Sequence, residues 1–402
     1  MAEQRREGRL QKSLLVVNAG SSSLKFHVYD IAAGEPVFCL GGQVSGIGSR
    51  HASLRIGDGQ GRDVLARALE RREAESLESA QQVIAEWLTG QLARPPLAVG
   101  HRIVHGGSDF VRSTVIDDEV LGRLEALAPL APLHQHNNLA PIHVIRQRWP
   151  RLLQVACFDT AFHRSFDAVA ERFALPERFY EQGVRRYGFH GLSYQYLAER
   201  LEQVAPELAA GRVIVAHLGS GASACAMVGG RSVDSTMSFT ALDGLPMATR
   251  PGHLDAGVVL WMMAQGMGHR EIQQVLYHES GLLGLSGLSG DVRDLLASEL
   301  PAARLALDYY AWRVAEGIAG LCTASRGLDG LVFTAGVGEN SAPLRAAICQ
   351  RLEWLGLRLD PERNAAHAAV ISSADSAIPV RVEATNEEWV IARQTLALLH
   401  SD

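Results

Sequence analysis

Residues 13–29 read SLLVVNAGSSSLKFHVY: a short apolar run, a loop of small residues, and a second run in which apolar and polar residues alternate. This order predicts two strands joined by a tight turn. Small residues let the backbone of the turn approach an anion closely, while Ser21, Ser23 and Lys25 add donors and positive charge. The stretch predicts a phosphate-binding hairpin, with an ordinary Ser/Gly turn as the alternative. It is not a P-loop, because GxxxxGK[ST] leading into a helix is absent.

The second half of the chain repeats this pattern. Residues 211–230 read GRVIVAHLGSGASACAMVGG, again a strand, a glycine turn and an apolar run. Further strands are predicted over 98–105, 154–159, 330–334 and 379–384, and helices over 75–88, 255–267, 302–325, 345–355 and 388–399. The repeated hairpin predicts two related α/β domains, with a cleft between them as the expected site.

The composition is that of a globular protein with two domains. The chain has 402 residues, of which 47% are hydrophobic and 20% charged, and this length is too great for one compact core. A net charge of −6 argues against a general nucleic-acid binder, which presents a basic face. No apolar run approaches the roughly 20 residues of a membrane span. We therefore expect neither nucleic acid nor a membrane as a partner.

The cysteines and the first residues indicate a cytoplasmic protein. The five cysteines are scattered and show no CxxC spacing, which predicts reduced thiols and no metal–thiolate site. Residues 1–12 are polar and charged, and they lack the apolar middle of a signal peptide. They predict a flexible tail ahead of the first strand.

Two segments place charged side chains at the ends of predicted strands. The segment GHRIVHGG (100–107) carries Arg102, whose planar guanidinium matches carboxylate or phosphate oxygens, although a surface arginine is the alternative. The segment CFDTAFH (157–163) carries Asp159. An acid at a strand end suits magnesium, and a helix N-cap is the alternative.

Glycine-rich segments supply the remaining candidates. AHLGSGAS (216–223) is a second Gly/Ser phosphate loop, Arg250 lies in a Gly/Pro loop, and TAGVGEN (334–340) follows a buried strand. His190 lies in RYGFHGLS (186–193), where a buried core histidine is the alternative. The set lacks the adjacent nucleophile and base of a hydrolase. It is typical of phosphoryl transfer, which depends on positioning and on neutralising charge.

Eight segments in order resemble those of the acetate kinase family, and the resemblance covers the chain from Leu14 to Leu399. They are VNAGSSSLKF, GHRIVHGG, PLAPLH, CFDTAFH, RYGFHGLSY, AHLGSGAS, FTAGVGEN and ATNEEWVIAR. The family belongs to the superfamily of sugar kinases, actin and chaperone ATPases. The resemblance implies an α/β protein with two ribonuclease H-like domains of the actin-like ATPase fold around a central cleft, and a homodimer. It sets the tail at 1–12, the first domain at 13–158 plus 388–402, and the second at 159–387.

The resemblance also implies the site residues. The catalytic residues would be Asn18, Arg102, Asp159, His190 and Arg250, the last joining His190 in stabilising the transition state. Asp159 and Glu387, with Asn18 nearby, would organise Mg²⁺, for which Mn²⁺ would substitute. The acyl group would meet Arg102, Val104, Leu133 and Ala241, with His134 beside them. The ATP site would comprise Ser21, Ser23, Lys25, His217, Leu218, Gly219, Ser220, Gly221, Asp291, Val292, Arg293, Gly336, Val337, Gly338, Glu339 and Asn340.

Several positions depart from the family pattern. Ser220 stands where the phosphate loop has asparagine, so an amide donor is lost. Ala241 stands where proline is usual, which widens the predicted acyl pocket. The loop around Arg250 carries Pro251, His253 and Ala256 in place of Ser, Asp and Pro.

These observations predict reversible transfer of the ATP γ-phosphoryl group to a carboxylate oxygen, with acetate or a similar acid and ATP/ADP as partners. A carboxylate is already a nucleophile, so two guanidiniums and magnesium would mainly offset repulsion between anions. Propionate or another short-chain acid is the alternative substrate. A non-catalytic nucleotide-binding regulator and a structural scaffold are the rival classes.

Overall fold

The structure is a computed structural model of the chain, and it describes residues 12–20, 23–92, 94–131 and 134–400. The predicted tail, up to residue 11, and the predicted site residues Ser21 and Leu133 lie outside the described residues. The described residues form two compact units, unit 1 with 12–161 and 386–400, and unit 2 with 162–385. The predicted ribonuclease H-like character of each domain, and its predicted bounds, stay predictions.

The described residues contain thirteen strands. The strands are β1 Ser13–Ala19, β2 Ser23–Asp30, β3 Val37–Ser45, β4 Ser53–Asp58, β5 Asp63–Ala68, β6 Ala98–Ile103, β7 Thr114–Val115, β8 Leu153–Phe158, β9 Arg212–Leu218, β10 Ala222–Val228, β11 Arg231–Ser235, β12 Gly330–Thr334 and β13 Val380–Val382.

Fifteen α-helices accompany them in the same ranges. The helices are α1 Leu77–Gln91, α2 Asp118–Ala126, α3 Gln135–Arg148, α4 Glu177–Glu181, α5 Gly191–Val204, α6 Pro206–Ala209, α7 Ala256–Ala264, α8 His269–His278, α9 Gly281–Ser286, α10 Val292–Leu296, α11 Pro301–Ser325, α12 Ala335–Asn340, α13 Ala342–Gln350, α14 Pro361–Ala365 and α15 Glu387–Leu399. Single 3₁₀ turns occur at Arg71–Glu73, Ala128–Leu130, Ala161–His163 and Glu353–Leu355. None of the helices in the described ranges is long and apolar enough to cross a membrane.

Unit 1 is built on an eight-stranded sheet in the order β5-β4-β3-β2-β1-β6-β8-β7. Strands β1, β6 and β8 are parallel neighbours, and β1 and β2 form the predicted antiparallel hairpin. Both faces of β1 are buried, Val17 against the cluster that includes helix α1 and Leu14 against Leu396 of α15. A central strand covered on both faces reads as a continuous apolar run, which explains SLLVV.

Unit 2 is built on a five-stranded sheet in the order β11-β10-β9-β12-β13. Strands β9 and β10 form the second predicted hairpin, and β9 runs parallel to β12, so His217 lies opposite Thr334. The long helix α11 packs on this sheet through buried residues that include Val314 and Ile318. Both hairpins predicted from the sequence are confirmed.

Two local predictions in unit 2 are wrong. The helix expected over 345–355 begins at Ala342, because Pro343 is accepted in a first helical turn, and it ends at Gln350. The segment TAGVGEN was expected to be a glycine loop that precedes a helix. Residues 335–340 of it are themselves the short helix α12, which Ala335 opens with a left-handed φ of 63°.

Candidate active site

In unit 1 the predicted residues meet at one edge of the sheet. Asn18 lies near the end of β1, Arg102 lies near the end of β6, and Asp159 directly follows β8. These three strands are parallel neighbours, so their carboxyl ends lie side by side, which is where open α/β sheets bind ligands. A fourth predicted residue, Glu387, begins helix α15.

Glycine 100 allows helix α15 to approach this edge. A Cβ at that position would lie 2.3 Å from Thr395 Oγ1 and 2.6 Å from Ile391 Cγ2 of α15. No side chain fits there, so the helix packs directly on β6. The close packing brings the first turn of α15, with its carboxylates, next to Arg102.

The guanidinium of Arg102 connects the unit 1 residues. It donates from Nε to Asp159 Oδ1 at 3.1 Å and from Nη2 to Oδ2 at 2.6 Å, a bidentate pair. Nη1 donates to Asn18 Oδ1 at 3.3 Å, and Nε lies 3.8 Å from Glu387 Oε2. The side chains of Arg102 and Asp159 are 20% and 1% exposed. The alternatives of a surface arginine and an N-cap aspartate are therefore wrong.

Burial changes the charges of this cluster. It raises the pKa of Glu387 to about 7, with Asp159 and Glu388 adding to the effect and Arg102 opposing it. Burial also raises the pKa of the Asp159 carboxyl against the pull of Arg102. Burial alone would lower the pKa of Arg102, but the neighbouring carboxylates outweigh it and the pKa is raised. The cluster thus has more buried negative charge than its own cations offset.

These groups fit a divalent cation with oxygen ligands. The described ranges contain no group of three or more His, Cys, Asp and Glu side chains placed to hold a metal. Magnesium does not need such a cage, because it is held by one or two carboxylates together with waters and phosphate oxygens. Asp159 and Glu387 supply two carboxylates, and the amide oxygen of Asn18 accepts a hydrogen bond from the guanidinium of Arg102 that contacts them.

A second acid of α15, Glu388, belongs to the same cluster and was not predicted. Its Oε1 accepts from Asn18 Nδ2 at 3.4 Å. Burial would raise the pKa of Glu388, but His27 and Lys25 outweigh it, and the pKa is lowered. The dipeptide EE in ATNEEWVIAR was the available signal. Only the fold shows that both acids face inward from the first turn of α15.

The buried Asn138 of α3 is another residue that sequence reasoning missed. Its Oδ1 accepts from the backbone of Val104 at 2.8 Å, and its Nδ2 donates to the carbonyl of Ala19 at 2.7 Å. It therefore links the predicted acyl-pocket residue Val104 to the start of the phosphate loop. Of the other predicted pocket residues, His134 is the N-cap of α3.

In unit 2, His190 is held in an unusual backbone conformation. It is the N-cap of α5 with φ 56° and ψ 24°, a left-handed geometry that is uncommon outside glycine. Its Nδ1 is hydrogen-bonded to Ser223 Oγ at 2.8 Å, and that hydroxyl is bonded to Tyr194 OH at 2.5 Å. The chain of contacts fixes the ring and directs Nε2 to the other side. A plain core histidine does not account for this arrangement.

A parallel set of contacts holds His217. Its Nδ1 is hydrogen-bonded to Ser193 Oγ at 2.8 Å, and Ser193 is bonded in turn to Thr385 Oγ1 at 2.8 Å. The rings of His190 and His217 stack with their centroids 4.2 Å apart. Two predicted residues from separate motifs therefore form one stacked pair of rings. The pair is supported by hydroxyl groups that received no role in the sequence analysis.

Arg250 joins this group at Gly221. A Cβ on Gly221 would lie 2.9 Å from Arg250 Nη2 and 3.4 Å from His190 Nε2, so glycine is needed for their approach. Arg250 Nη1 donates to the carbonyl of Ala241 at 2.6 Å. No carboxylate within the described ranges lies within ion-pair distance of it, and burial lowers the pKa of Arg250. An anion would supply the missing negative charge.

Two of the predicted nucleotide segments are adjacent. Ala248 donates its backbone N–H to the carbonyl of Ser220 at 3.2 Å, and a Cβ on Gly290 would lie 2.8 Å from the Ala248 carbonyl oxygen. Asp291 caps α10 and pairs with Arg293 at 2.6 Å. Arg293 is 89% exposed in its side chain. Leu218 and Val292 are buried in the core, so only their backbone is available to a ligand.

The third nucleotide segment, helix α12, rests on a buried arginine. Arg345 has no exposed surface and donates from Nη1 to the carbonyls of Gly338 at 2.9 Å and Glu339 at 2.8 Å. Asn340 donates to the carbonyl of Gly336 at 2.9 Å, and a Cβ on Gly336 would meet open space. Arg345 was read from the sequence only as part of a helix, because nothing local marks an arginine as buried.

The unusual loop after Arg250 is ordered by its own contacts. Gly252 has φ 73°, and a Cβ there would lie 2.5 Å from the Leu245 backbone. His253 Nδ1 lies 3.7 Å from Asp243 Oδ1 on the surface. The departures Pro251 and His253 leave the guanidinium of Arg250 with its contact to Ala241.

Known proteins resemble this chain over nearly its whole length. Residues 13–393 match the acetokinase family. The chain is 54% identical over 389 residues to the acetate kinase of Nitrobacter hamburgensis, which covers 96% of each chain. A propionate kinase from Francisella tularensis matches its structure with a TM-score of 0.89 and 34% identity, over 96% of this chain and all of the other. The structure of acetate kinase from Porphyromonas gingivalis matches with a TM-score of 0.83 and 33% identity, over 96% of this chain and all of the other.

These likenesses also bear on the predicted fold. The matched structures are kinases that act on small carboxylic acids by name. The α/β class is confirmed, and the two sheets are consistent with two actin-like ATPase domains. The chain belongs to the acetokinase family.

Proposed function

We propose that this chain is an acetate kinase, which transfers the γ-phosphoryl group of ATP to acetate and forms acetyl phosphate reversibly. The observation that carries the proposal is the buried cluster of unit 1, in which two carboxylates and Asn18 surround Arg102. Such a cluster suits a divalent cation and a carboxylate substrate together. The family match and the 54% identity to an acetate kinase support the choice of reaction.

In this proposal the residues take the roles that the resemblance implies. Asp159 and Glu387, with Asn18 nearby, would hold Mg²⁺, or Mn²⁺ in its place, and the ion would neutralise charge on the phosphate oxygens. Arg102 would bind the acyl carboxylate with its planar fork. Arg250 and His190 Nε2 would contact the phosphoryl group during transfer, where donors aimed at developing charge lower the barrier.

The acceptor oxygen needs no strong base. Acetate is ionised at neutral pH and attacks the γ-phosphorus directly, so the new O–P bond forms as the bond to the β-phosphate oxygen breaks, and ADP leaves. The protein contributes position and charge rather than proton transfer. The remaining predicted nucleotide residues, among them His217, Gly336 and Asn340, would bind the rest of ATP.

Hydroxamate trapping tests the proposal. Purified protein with acetate, ATP and magnesium in hydroxylamine should form acetohydroxamate, and chelation of the metal should abolish it. ATP binding without any hydroxamate, over a panel of short-chain acids, would instead identify a non-catalytic nucleotide-binding regulator.

Propionate is the second candidate substrate. The Francisella tularensis structure that matches this chain is a propionate kinase, and Ala241 replaces a bulkier proline of the family pattern. One methylene changes specificity by only about 1–3 kcal/mol, so activity on both acids is expected. The ratio of kcat/KM for acetate and propionate decides between them, and a ratio below one would reverse our assignment.

We also propose that the protein is a homodimer. Helix α7 is apolar on all sides, yet none of its residues is buried, and Leu260, Trp261 and Met263 are 67%, 61% and 58% exposed. A helix of this composition is normally covered. Light scattering should give twice the mass of the chain, and Leu260→Glu with Trp261→Glu should give monomers. A wild-type monomer would refute the proposal.

A cytoplasmic location is proposed on separate grounds. All five cysteines are free, and three of them are buried. Unpaired buried thiols are typical of proteins in reducing compartments. The net charge of −6 also supports the expectation that nucleic acid is not a partner.

A further inference from the structure

A cavity of about 290 Å³ lies in unit 1, on the face of the β1–β2 hairpin opposite the active-site residues. Its walls include Val17 of β1, Leu24 of β2 and Leu88 of α1. Side chains alternate between the two faces of a strand, so Asn18 and Lys25, which are adjacent in sequence to two of these residues, project to the other face. None of the residues assigned to the active site lines this cavity.

The lining is mostly aliphatic and aromatic. An apolar cavity of about 150 Å³ stays free of water and takes up benzene. The cavity here has about twice that volume, so it suits an apolar body on the order of ten carbon atoms. Burying such a chain against aliphatic walls is favourable by roughly 0.8 kcal/mol for each methylene.

Two positively charged side chains lie at the opening of the cavity. Arg94 and Arg148 line the cavity and are exposed. The guanidinium of Arg148 lies 5.0 Å from the ring centre of Trp149, another lining residue. Neither arginine forms an ion pair with a carboxylate in the described ranges, although the chain carries a net charge of −6. A carboxylate head group would complement them.

A buried amide among the lining residues has an unpaired acceptor. Gln81 lines the cavity and is 7% exposed. Its Nε2 donates to the carbonyl of Pro141 at 3.2 Å, but its Oε1 has no partner among the described residues. Leaving a buried acceptor unpaired costs about 1–3 kcal/mol. A water that enters the cavity would satisfy this acceptor, because the alkyl chain and ionised head group of a fatty carboxylate carry no hydrogen-bond donor.

We propose that this cavity binds a medium-chain fatty carboxylate of about ten carbons, with its chain between the sheet and α1 and its head group at Arg94 and Arg148. The site goes beyond the proposed reaction, since an acid of this size is not its substrate. The occupant would touch Val17 and Leu24 on either side of the phosphate loop. Its binding is therefore placed to alter that loop.

Quenching of tryptophan fluorescence by 2-bromodecanoate tests the site, because Trp149 lies in its wall beside Arg148, where the head group is placed. We expect saturable quenching in the full-length protein, and loss of most of its amplitude in Trp149→Phe. Ala85→Leu adds volume inside the cavity and should weaken binding at least tenfold. Gln82→Leu adds the same side chain to α1 outside the lining residues and should leave binding unchanged.

The head group is tested with charge variants. Arg94→Gln with Arg148→Gln should weaken decanoate binding at least tenfold and leave 1-decanol binding unchanged. Arg146→Gln, on the same helix but paired with Asp118, is the matched control and should bind decanoate normally.

Several outcomes would overturn the proposal. They are the absence of saturable quenching at millimolar ligand, equal quenching in Ala85→Leu, which would place the ligand elsewhere, and equal weakening by Arg146→Gln. Should Ala85→Leu fail to fold by circular dichroism, Thr89→Phe at the exposed rim of the cavity provides the second blocking variant without adding a tryptophan. If the catalytic proposal is correct and the cavity proposal is not, hydroxamate formation remains normal in all these variants.

Discussion

The clusters of candidate residues in the two units differ in charge. In unit 1, Arg102 is paired with Asp159 and lies 3.8 Å from Glu387, and further acid comes from Glu388. In unit 2, Arg250 donates to the carbonyl of Ala241 and has no carboxylate within ion-pair distance in the described ranges, and His190 and His217 are hydrogen-bonded to serine hydroxyls. One cluster contains excess buried negative charge and the other contains an uncompensated cation.

The difference indicates what each cluster needs from a ligand. Buried carboxylates of like charge raise one another's pKa until a cation joins them. Burial, with Asp159 and Glu388 adding to it, raises the pKa of Glu387 to about 7. A buried guanidinium without a carboxylate gains most from an anion. Unit 1 is suited to a metal ion and unit 2 to a phosphate group, although both bear arginines that look alike in sequence.

Arg102→Ala should produce the largest effect, because it damages both function and stability. We expect kcat to fall at least about a hundredfold, roughly 3 kcal/mol in barrier height. Asp159 would remain buried without its counter-ion, which costs about 3–5 kcal/mol of folding free energy. Steady-state kinetics and urea unfolding at one pH measure the two losses. Arg102→Lys is the control, which restores charge and most stability but not the planar fork. Unchanged stability in Arg102→Ala would contradict the role of the ion pair.

Arg250→Ala should lose activity alone. The expected fall in kcat is again at least about a hundredfold, because the proposed contact acts on the phosphoryl group during transfer. No carboxylate is left unpaired by the change, so the free energy of unfolding should stay within about 1 kcal/mol of wild type. Destabilisation as large as that of Arg102→Ala would remove the distinction between the two clusters.

A buried histidine in each unit should make the folded state less stable in acid. In this respect the two units are expected to behave alike. Burial lowers the pKa of His101 in unit 1 to about 4 and that of His163 in unit 2 to about 3. The unfolded chain therefore takes up protons first as the pH falls below about 6.5, and stability present above that pH is lost. Each histidine should cost about 1 kcal/mol between pH 6.5 and 5.5, because the unfolded histidine is only partly protonated at the upper end of this range.

Unfolding in urea over this pH range measures the slope. His101→Gln retains a donor for Gln154, with which His101 Nε2 is bonded at 2.8 Å, and should reduce the slope by about one proton. The control is His400→Gln, at a surface residue, which should not alter the slope. A slope that is the same in His101→Gln would show that this histidine does not titrate on unfolding.

Much of the unit 1 site could be predicted from local pattern. Runs that end in polar residues located the strand ends at Arg102 and Asp159, and the resemblance to the acetate kinase family implied that these residues and Asn18 share one site. The pattern in residues 13–29 also predicted the hairpin, whose observed register sets Asn18 opposite Lys25. Local sequence pattern is sufficient to predict features that depend on interactions between neighbouring residues.

The supporting contacts could not be predicted in this way. Ser223 lies 33 residues from His190, and Asn138 lies 119 residues from the Ala19 carbonyl that it binds. Burial of Arg345 depends on carbonyls that helix α12 turns toward it. Serine, asparagine and arginine are common on surfaces, so nothing in their neighbours separates these residues from solvated ones.

Within unit 2, the two hydroxyl contacts should separate chemistry from nucleotide binding. Ser223→Ala frees the ring of His190, which then loses its orientation toward the phosphoryl group. We expect kcat to fall about tenfold, the scale of a lost positioning contact, with little change in KM for ATP. Ser193→Ala frees His217, which is assigned to ATP, so KM for ATP should rise by about the same factor while kcat is kept. Ser223→Thr retains the hydroxyl and should restore most activity. Equal changes of kcat and KM in both variants would mean that the stacked histidines act as one element, and that hydroxyl contacts only stabilise the fold around them.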